Sequence, residues 1–114
     1  MKILIIEDNV KLLELLLSMA KMSGHEVIGF TKCTEAIEAF KVEAFDCAVI
    51  DFNLQDMNGE EVNAKLKEIN PELPVLFTTG EASREFKLGP KDSVLPKPFF
   101  IKQFEKALNK LKEE

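Results

Sequence analysis

The chain contains no tryptophan and no tyrosine, and phenylalanine is its only aromatic residue type. This absence excludes the usual intrinsic fluorescence signals of folding and binding. Only one histidine, His25, and two cysteines, Cys33 and Cys47, are present. They follow no metal-binding pattern, so a zinc site is excluded and no role is predicted for His25. We expect both thiols to be reduced, as in cytosolic proteins.

Long apolar runs and basic runs are also missing. No stretch reaches the ~20 apolar residues that a membrane-spanning helix needs, and the chain opens on a short strand pattern, not on a signal peptide. The formal net charge of −5 argues against general binding to nucleic acid or anionic membranes and favours cation binding. We therefore expect a cytoplasmic protein with no direct nucleic acid or membrane partner. The length of 114 residues suits one domain, residues 1–114, with a single core.

Short apolar runs alternate with helical patterns along the whole chain. The predicted strands are residues 1–6, 26–30, 47–51, 75–79 and 93–95. The predicted helices are residues 10–22, a segment from Thr34 to near Glu43, a segment through Val62, Leu66 and Ile69, a short helix at 83–88, and a closing helix through Ile101, Phe104, Leu108 and Leu111. Five strands alternating with five helices predict a single α/β, doubly wound (βα)5 domain whose parallel sheet is covered on both faces.

The strand order that commonly satisfies this pattern is 2-1-3-4-5, the flavodoxin-like order. Pro96 directly follows the last predicted strand, and proline cannot donate a hydrogen bond from a central strand. The order 2-1-3-4-5 places this strand at an edge of the sheet, where the missing N–H is tolerated. It also brings the carboxyl ends of the first and third strands side by side.

The first predicted helix has a cap at its start, Asp8 or Asn9, and Gly24 after its end. Its polar residues form one stripe: Lys11, Glu14, Ser18 and Lys21. The opposite row is the predicted core face: Leu12, Leu15, Leu16 and Met19. Leu13 and Leu17 form a second apolar row, which indicates either a deeply packed helix or a partner-docking surface.

Two of the predicted strands end in carboxylates. Glu7 and Asp8 follow the first strand and Asp51 ends the third, so the strand order brings all three to one crevice. Asp51 alone would equally suit a turn. Three neighbouring carboxylates, however, repel one another and need a compensating cation. Mg²⁺ suits an exposed, oxygen-lined site best, because it keeps several waters and takes few protein oxygens.

Two further polar residues end strands at the same edge of the predicted sheet. Lys97, just past the fifth strand, supplies a fixed positive charge, and Thr79, at the end of the fourth, supplies a hydroxyl. Together with a metal ion and a nucleophilic carboxylate they describe a phosphoryl-transfer site with Asp51 as the acceptor.

At these residues the chain resembles a receiver domain of the two-component response regulators. The resemblance covers essentially the whole chain and rests on four spaced motifs: Glu7-Asp8, Asp51, Thr79-Gly80 and Lys97-Pro98-Phe99. It implies a phosphorelay protein that signals by conformational change and is not a turnover enzyme.

The resemblance also implies a role for each site residue. Asp51 would accept a phosphoryl group from the phosphohistidine of a sensor histidine kinase or histidine phosphotransfer domain. Asp8 and Asp51 would bind Mg²⁺ directly, Glu7 through water, and Asn53 through its backbone carbonyl. Lys97 would bind the phosphoryl oxygens, with the peptide bond to the following proline in the cis form.

The expected switch residues are Thr79, which would hydrogen-bond the phosphoryl group, and Val94. Receiver domains commonly have an aromatic residue at the position of Val94, so the relay to a downstream protein is expected to differ here. They usually have proline at the position of Gln55, which predicts a more mobile loop after Asp51. The missing aromatic ring at Val94 favours a stand-alone relay or partner-binding receiver that stays monomeric when activated, and not a dimerising transcription switch.

Two other function classes fit parts of the pattern. An aspartate-nucleophile phosphatase would need a second acid two residues after Asp51, where this chain has Asn53. A non-phosphorylated adaptor would usually have lost one of the acidic or lysine positions, and this chain has kept them all. The pathway and the downstream partner are not encoded in these motifs.

Overall fold

The computed structural model describes residues 1–80 and 88–112. Within them, five parallel strands form one sheet in the order β2-β1-β3-β4-β5, as predicted. The elements in chain order are β1 Lys2–Ile6, α1 Val10–Met22, β2 Glu26–Phe30, α2 Cys33–Val42, β3 Cys47–Asp51, α3 Gly59–Ile69, β4 Val75–Thr79, β5 Asp92–Pro96 and α4 Ile101–Lys112. The short helix predicted at 83–88 falls almost entirely on residues outside the described part of the chain.

The central strands are covered on both faces. Every residue of β3 and β4 is buried, as expected for a parallel sheet between two layers of helices. Successive side chains of β1 show the division: Leu4 and Ile6 pack in the core under α2 and α3, while Ile3 and Ile5 pack under α1 and α4. The two cores are therefore separated only by the sheet itself. Truncating one of these side chains to alanine costs about 2–5 kcal/mol.

Helix α1 is rotated relative to the predicted core face. Leu13 is buried and Leu15 is 49% exposed, although the sequence pattern placed Leu15 inward. The reason lies in β2, where a Cβ at Gly29 would stand 2.9 Å from Leu13 and 3.1 Å from Leu17. Because Gly29 lacks that atom, both leucines fill the space above the strand. The prediction that Leu13 and Leu17 form a partner-docking surface is therefore wrong for Leu13, and Leu17 is half-buried in the same core.

The ends of α1 match the prediction, and the start of α2 does not. Asn9 caps α1 by accepting a hydrogen bond from the backbone N–H three residues on at 3.1 Å, and Gly24 follows the helix with a φ of 87°. Thr34 was the predicted cap of α2. The helix instead begins at Cys33, and Lys32 in the cap position makes no side-chain hydrogen bond.

The two later helices are nearly as predicted. Val62 and Leu66 of α3 are buried, but Ile69 is 44% exposed because it lies at the helix end, past the edge of the core. The predicted inward residues of α4 are buried: Phe104, Leu108 and Leu111. Among the helices of residues 1–80 and 88–112, none combines the length and the apolar character that crossing a lipid bilayer requires.

Candidate functional site

Three carboxylates converge where β1 and β3 end. Glu7 and Asp8 follow β1, Asp51 is the last residue of β3, and these two strands are neighbours. One carboxylate oxygen from each of the three residues lies within 4.8 Å of the others. Glu7 is 1% exposed, Asp51 is 5% exposed and Asp8 is half-buried. The structure thus brings together the acidic residues that the sequence placed at one crevice.

Lys97 reaches into this group from the end of β5. Its Nζ lies 3.0 Å from Oε1 of Glu7 and 3.3 Å from Oδ1 of Asp51. The Lys97–Pro98 peptide bond is cis, as the resemblance implied. The backbone N–H of Lys97 donates to the carbonyl of Thr79 at 2.7 Å, which fixes this residue against the neighbouring strand. We call Glu7, Asp8, Asp51 and Lys97 the site cluster.

The site cluster has a surplus of negative charge in a partly desolvated place. Burial raises the pKa of Glu7 above its usual value, and the nearby Asp51 adds to the rise. Hydrogen bonds from the Asn9 backbone N–H, at 3.1 Å, and from Lys97 oppose the rise without cancelling it. One ammonium therefore does not fully offset three carboxylates, and a further cation is favoured here.

The donor chemistry of the site cluster fits Mg²⁺. All its ligand candidates are carboxylate oxygens, which hard divalent cations prefer. Asp8 is partly open to solvent, so bound waters have room to remain on the ion. Asn53 lies in the loop that follows β3, and its backbone nitrogen lies 3.4 Å from Oδ1 of Asp51. The peptide segment that contains the Asn53 carbonyl therefore lies beside Asp51.

The two predicted switch residues occupy different places. Thr79 ends β4, is fully buried, and is the residue whose carbonyl binds Lys97. Val94 is half-buried in β5, where it pairs with Phe77 of β4 and packs against the core under α2 and α3. Val94 thus lies within the packed sheet three residues before the lysine.

Sequence reasoning missed two features that shape the site. A Cβ at Gly59 would lie 2.9 Å from the Cα of Phe52, so glycine lets the start of α3 approach the end of β3. Asp56, midway between them, accepts a hydrogen bond from the backbone N–H of Cys33 at 3.0 Å. The sequence signal for this contact was the absence of a side-chain acceptor at Lys32, directly before α2.

A shallow cleft of about 230 Å³ adjoins the site cluster on the side of Asp8. It is lined by residues from three loops: Asp8, Thr31, Lys32, Gln55 and Asp56. The cleft leaves the half-buried carboxylate of Asp8 accessible from solution.

The family model of the response regulator receiver domain matches residues 3–109. The chain belongs to the response regulator receiver domain family. It is therefore a receiver domain of two-component signalling, as the spaced motifs indicated.

Curated relatives and solved structures agree with this assignment. The chain is 33% identical to the transcriptional regulatory protein LytR of Staphylococcus aureus over 98% of its own length and 47% of the relative. It is 28% identical to the response regulator receiver protein CpdR of Brucella abortus, over 96% of this chain and 95% of that protein. The chain thus spans about half the length of LytR and nearly the full length of CpdR.

One similar solved structure is the response regulator protein TrrA from Thermotoga maritima, in complex with Mg(2+)-BeF. The match has a TM-score of 0.87 at 20% identity and covers 96% of this chain and 97% of the other. At this identity the likeness shows the fold, which is the flavodoxin-like fold predicted from the strand pattern.

Proposed function

We propose that Asp51 of this receiver domain accepts a phosphoryl group from a phosphohistidine in a Mg²⁺-dependent reaction. The observation that carries the proposal is the convergence of Asp51, Glu7, Asp8 and Lys97 at the carboxyl end of the sheet. An oxygen of Asp51 attacks phosphorus, the bond from phosphorus to the histidine nitrogen breaks, and that nitrogen keeps the electron pair.

Each residue of the site cluster has a part in this reaction. Lys97 binds the phosphoryl oxygens while its ammonium offsets their charge. Asp8 and Asp51 would hold Mg²⁺, with Glu7 acting through water and the Asn53 carbonyl as a further ligand. When bound, the ion supplies positive charge that stabilises the transferring group. The complex of TrrA with Mg(2+)-BeF supports this assignment by analogy of fold.

The direct test is phosphorylation by a small donor. We expect acetyl phosphate with Mg²⁺ to add one phosphoryl group, and we expect Asp51→Asn to abolish the gain in intact mass. Asp46→Asn is the matched control, because Asp46 lies just before the same strand at the opposite end of the sheet. Full labelling of Asp51→Asn would show that the acceptor is elsewhere. No labelling of the wild-type chain would favour the non-phosphorylated adaptor.

The proposed phosphoryl donor is a sensor histidine kinase or a histidine phosphotransfer domain. With Leu13 buried, we consider the exposed large hydrophobic residues that lie nearest the site cluster in sequence within residues 1–80 and 88–112. They are Val10, which is 56% exposed and follows Asp8 closely, and Phe100, which is 81% exposed and follows Lys97 closely. We propose that these side chains contact the donor. A slower transfer from a phosphorylated donor domain to Val10→Ser with Phe100→Ser, at an unchanged rate with acetyl phosphate, would separate docking from chemistry.

The signal that leaves the domain is part of the same proposal. Thr79 hydrogen-bonds the phosphoryl group and shifts, but Val94 is packed in the sheet and carries no large ring to move with it. We propose a relay or partner-binding receiver in the cytoplasm that stays monomeric when activated. A dimer that forms only with beryllofluoride and Mg²⁺, measured by ultracentrifugation, would overturn this part.

A further inference from the structure

The loop between β3 and α3, residues 52–58, holds the proposed metal ligand Asn53. We call it the acceptor loop. Its two ends are fixed by backbone hydrogen bonds. The N–H of Phe52 donates to the carbonyl of Thr78 at 2.9 Å, and the N–H of Gly59 donates to the carbonyl of Phe52 at 2.9 Å. These contacts leave the middle of the loop to be held by side chains.

The middle of the acceptor loop is held by helix α2. Oδ2 of Asp56 accepts a hydrogen bond from the backbone N–H of Cys33 at 3.0 Å. Sγ of Cys33 lies 3.9 Å from the carbonyl oxygen of Met57. Since Lys32 makes no side-chain cap bond, Asp56 supplies from another loop the acceptor that this helix start needs.

The contact between Asp56 and α2 is electrostatically favourable. Slight burial raises the pKa of Asp56, but hydrogen bonds from the thiol and N–H of Cys33 and from Thr34 outweigh it and lower the pKa below its usual value. The carboxylate is therefore charged at neutral pH and lies against the positive end of the helix dipole.

The receiver motif usually has proline in the acceptor loop, and proline restricts the backbone. This chain has the exposed Gln55 instead, which does not restrict the backbone in this way.

We propose that Asp56 is a positioning residue of the phosphorylation site, which holds the acceptor loop against α2 and thereby keeps Asn53 in place beside Asp51. The inference rests on the proposed function, since the metal site is what the loop serves. Asp56 compensates in this chain for the proline that its loop lacks. We call this contact between Asp56 and α2 the tether. It predicts that substitutions at Asp56 alter Mg²⁺ binding although they remove no metal ligand.

The first test is Mg²⁺ affinity, measured by isothermal titration calorimetry on the metal-free chain. We expect Asp56→Ala to raise the dissociation constant about fivefold, the factor that corresponds to loss of a typical helix cap. We expect Asp56→Asn to stay near the wild-type value, because its amide oxygen accepts the same bonds. An equal loss in both variants would show that only the charge of Asp56 matters and would overturn the proposal.

A second test separates the tether from simple capping. Adding Lys32→Ser to Asp56→Ala gives α2 a cap of its own but does not reconnect the acceptor loop. We expect urea unfolding to show recovered stability while Mg²⁺ affinity remains low. Recovery of the affinity together with the stability would mean that Asp56 acts only as a cap, and the proposal would fail.

Asp46→Ala is the matched control. It removes another aspartate that accepts a backbone N–H, that of Lys2 at 2.6 Å, at the opposite end of the sheet. We expect it to leave both Mg²⁺ affinity and the amide NMR signal of Asn53 unchanged, whereas Asp56→Ala shifts that signal even without metal. Asp46→Ala with the same changes as Asp56→Ala would contradict a specific tether.

The outcomes distinguish this inference from the proposed function. A wild-type chain that binds no Mg²⁺ contradicts both. A wild-type chain that binds Mg²⁺ no more tightly than Asp56→Ala contradicts this inference alone.

Discussion

Two charged clusters, one at each end of the sheet, each combine one lysine with three carboxylates. The site cluster contains Lys97 and the carboxylates of Glu7, Asp8 and Asp51. The opposite cluster, at the start of β1, contains Lys2, Glu26, Glu43 and Asp46. Nζ of Lys2 lies 2.7 Å from Oε1 of Glu43 and 3.9 Å from Oε2 of Glu26. The two groups thus have the same formal charge and similar ion-pair distances.

The clusters differ in their carboxylates and not in their lysines. The side chains of Lys97 and Lys2 are 24% and 27% exposed. The side chains of Glu7 and Asp51, which pair with Lys97, are only 2% and 6% exposed when the backbone is left out. The side chain of Glu43, which pairs with Lys2, is 40% exposed. Water screens the interactions between the charges of the opposite cluster. The charges of the site cluster interact more strongly, because its acids lie at the ends of covered strands and are shielded from water. Burial of like charges, more than their number, therefore distinguishes the site cluster from the opposite cluster.

The largest expected difference between the clusters is in phosphorylation rate. We expect Lys97→Met to slow phosphorylation by acetyl phosphate about 100-fold, because a preorganised positive charge is lost from the transferring group. Lys2→Met should leave the rate within about twofold, since Lys2 lies at the other end of the sheet. Rates from intact mass spectrometry decide the comparison. Equal rates for the two variants would mean that Lys97 has only a structural role.

Mg²⁺ affinity should separate the acids of the two clusters. We expect Glu7→Gln to weaken binding about 10-fold, the effect typical of outer-sphere partners of a metal site. Glu43→Gln removes the same charge from the opposite cluster and should leave the affinity unchanged. Titration calorimetry measures both. A similar loss in Glu43→Gln would indicate that the net charge of the chain, not the geometry of the site cluster, governs the affinity.

The pH dependence of stability should differ in the metal-free chain. Because burial raises the pKa of Glu7 above its usual value of 4.5, the stability that Glu7 contributes is fully present below that pH. It is lost as the pH rises through the folded-state pKa. In the presence of a chelator, the free energy of unfolding of Glu7→Gln should therefore rise relative to that of the wild type as the pH increases above about 4.5. A difference between the two chains that does not change with pH would contradict the raised pKa of Glu7.

The smallest effect is expected for the stability of the opposite cluster. Lys2→Met removes exposed ion pairs and a contact of Nζ with the Phe45 ring, 5.3 Å from its centroid. Exposed ion pairs contribute little to stability because water screens them, and the methionine side chain keeps most of the apolar packing. We expect the midpoint of urea unfolding to stay close to that of the wild type. A clearly lower midpoint would show that this cluster is coupled to the core more strongly than its exposure indicates.

The sheet and the site cluster were predictable because they follow from local pattern and chain topology. Apolar runs that end in Glu7 and Asp51 indicate strands with acids at their ends, and parallel neighbours bring those ends together. Pro96 supported the predicted strand order independently, because proline is tolerated at the edge of a sheet and β5 is an edge strand in that order.

The rotation of α1 and the start of α2 were not predictable from the same patterns. Leu13 turns inward because Gly29, on a different element, leaves space for it. Cys33 begins α2 because Asp56, 23 residues away, supplies the acceptor. Both depend on which elements meet in space, and helical periodicity alone contains no such information.

The two cysteines make the protein a convenient background for chemical labelling. Cys33 and Cys47 pack on opposite faces of the sheet and form no disulfide. Burial raises the pKa of each thiol to about 12, so neither forms the reactive thiolate at neutral pH. A single cysteine introduced on the surface can therefore carry a fluorophore or spin label without competing modification of Cys33 or Cys47. Because the chain has no tryptophan or tyrosine, no native emission from these residues overlaps the signal of the fluorophore.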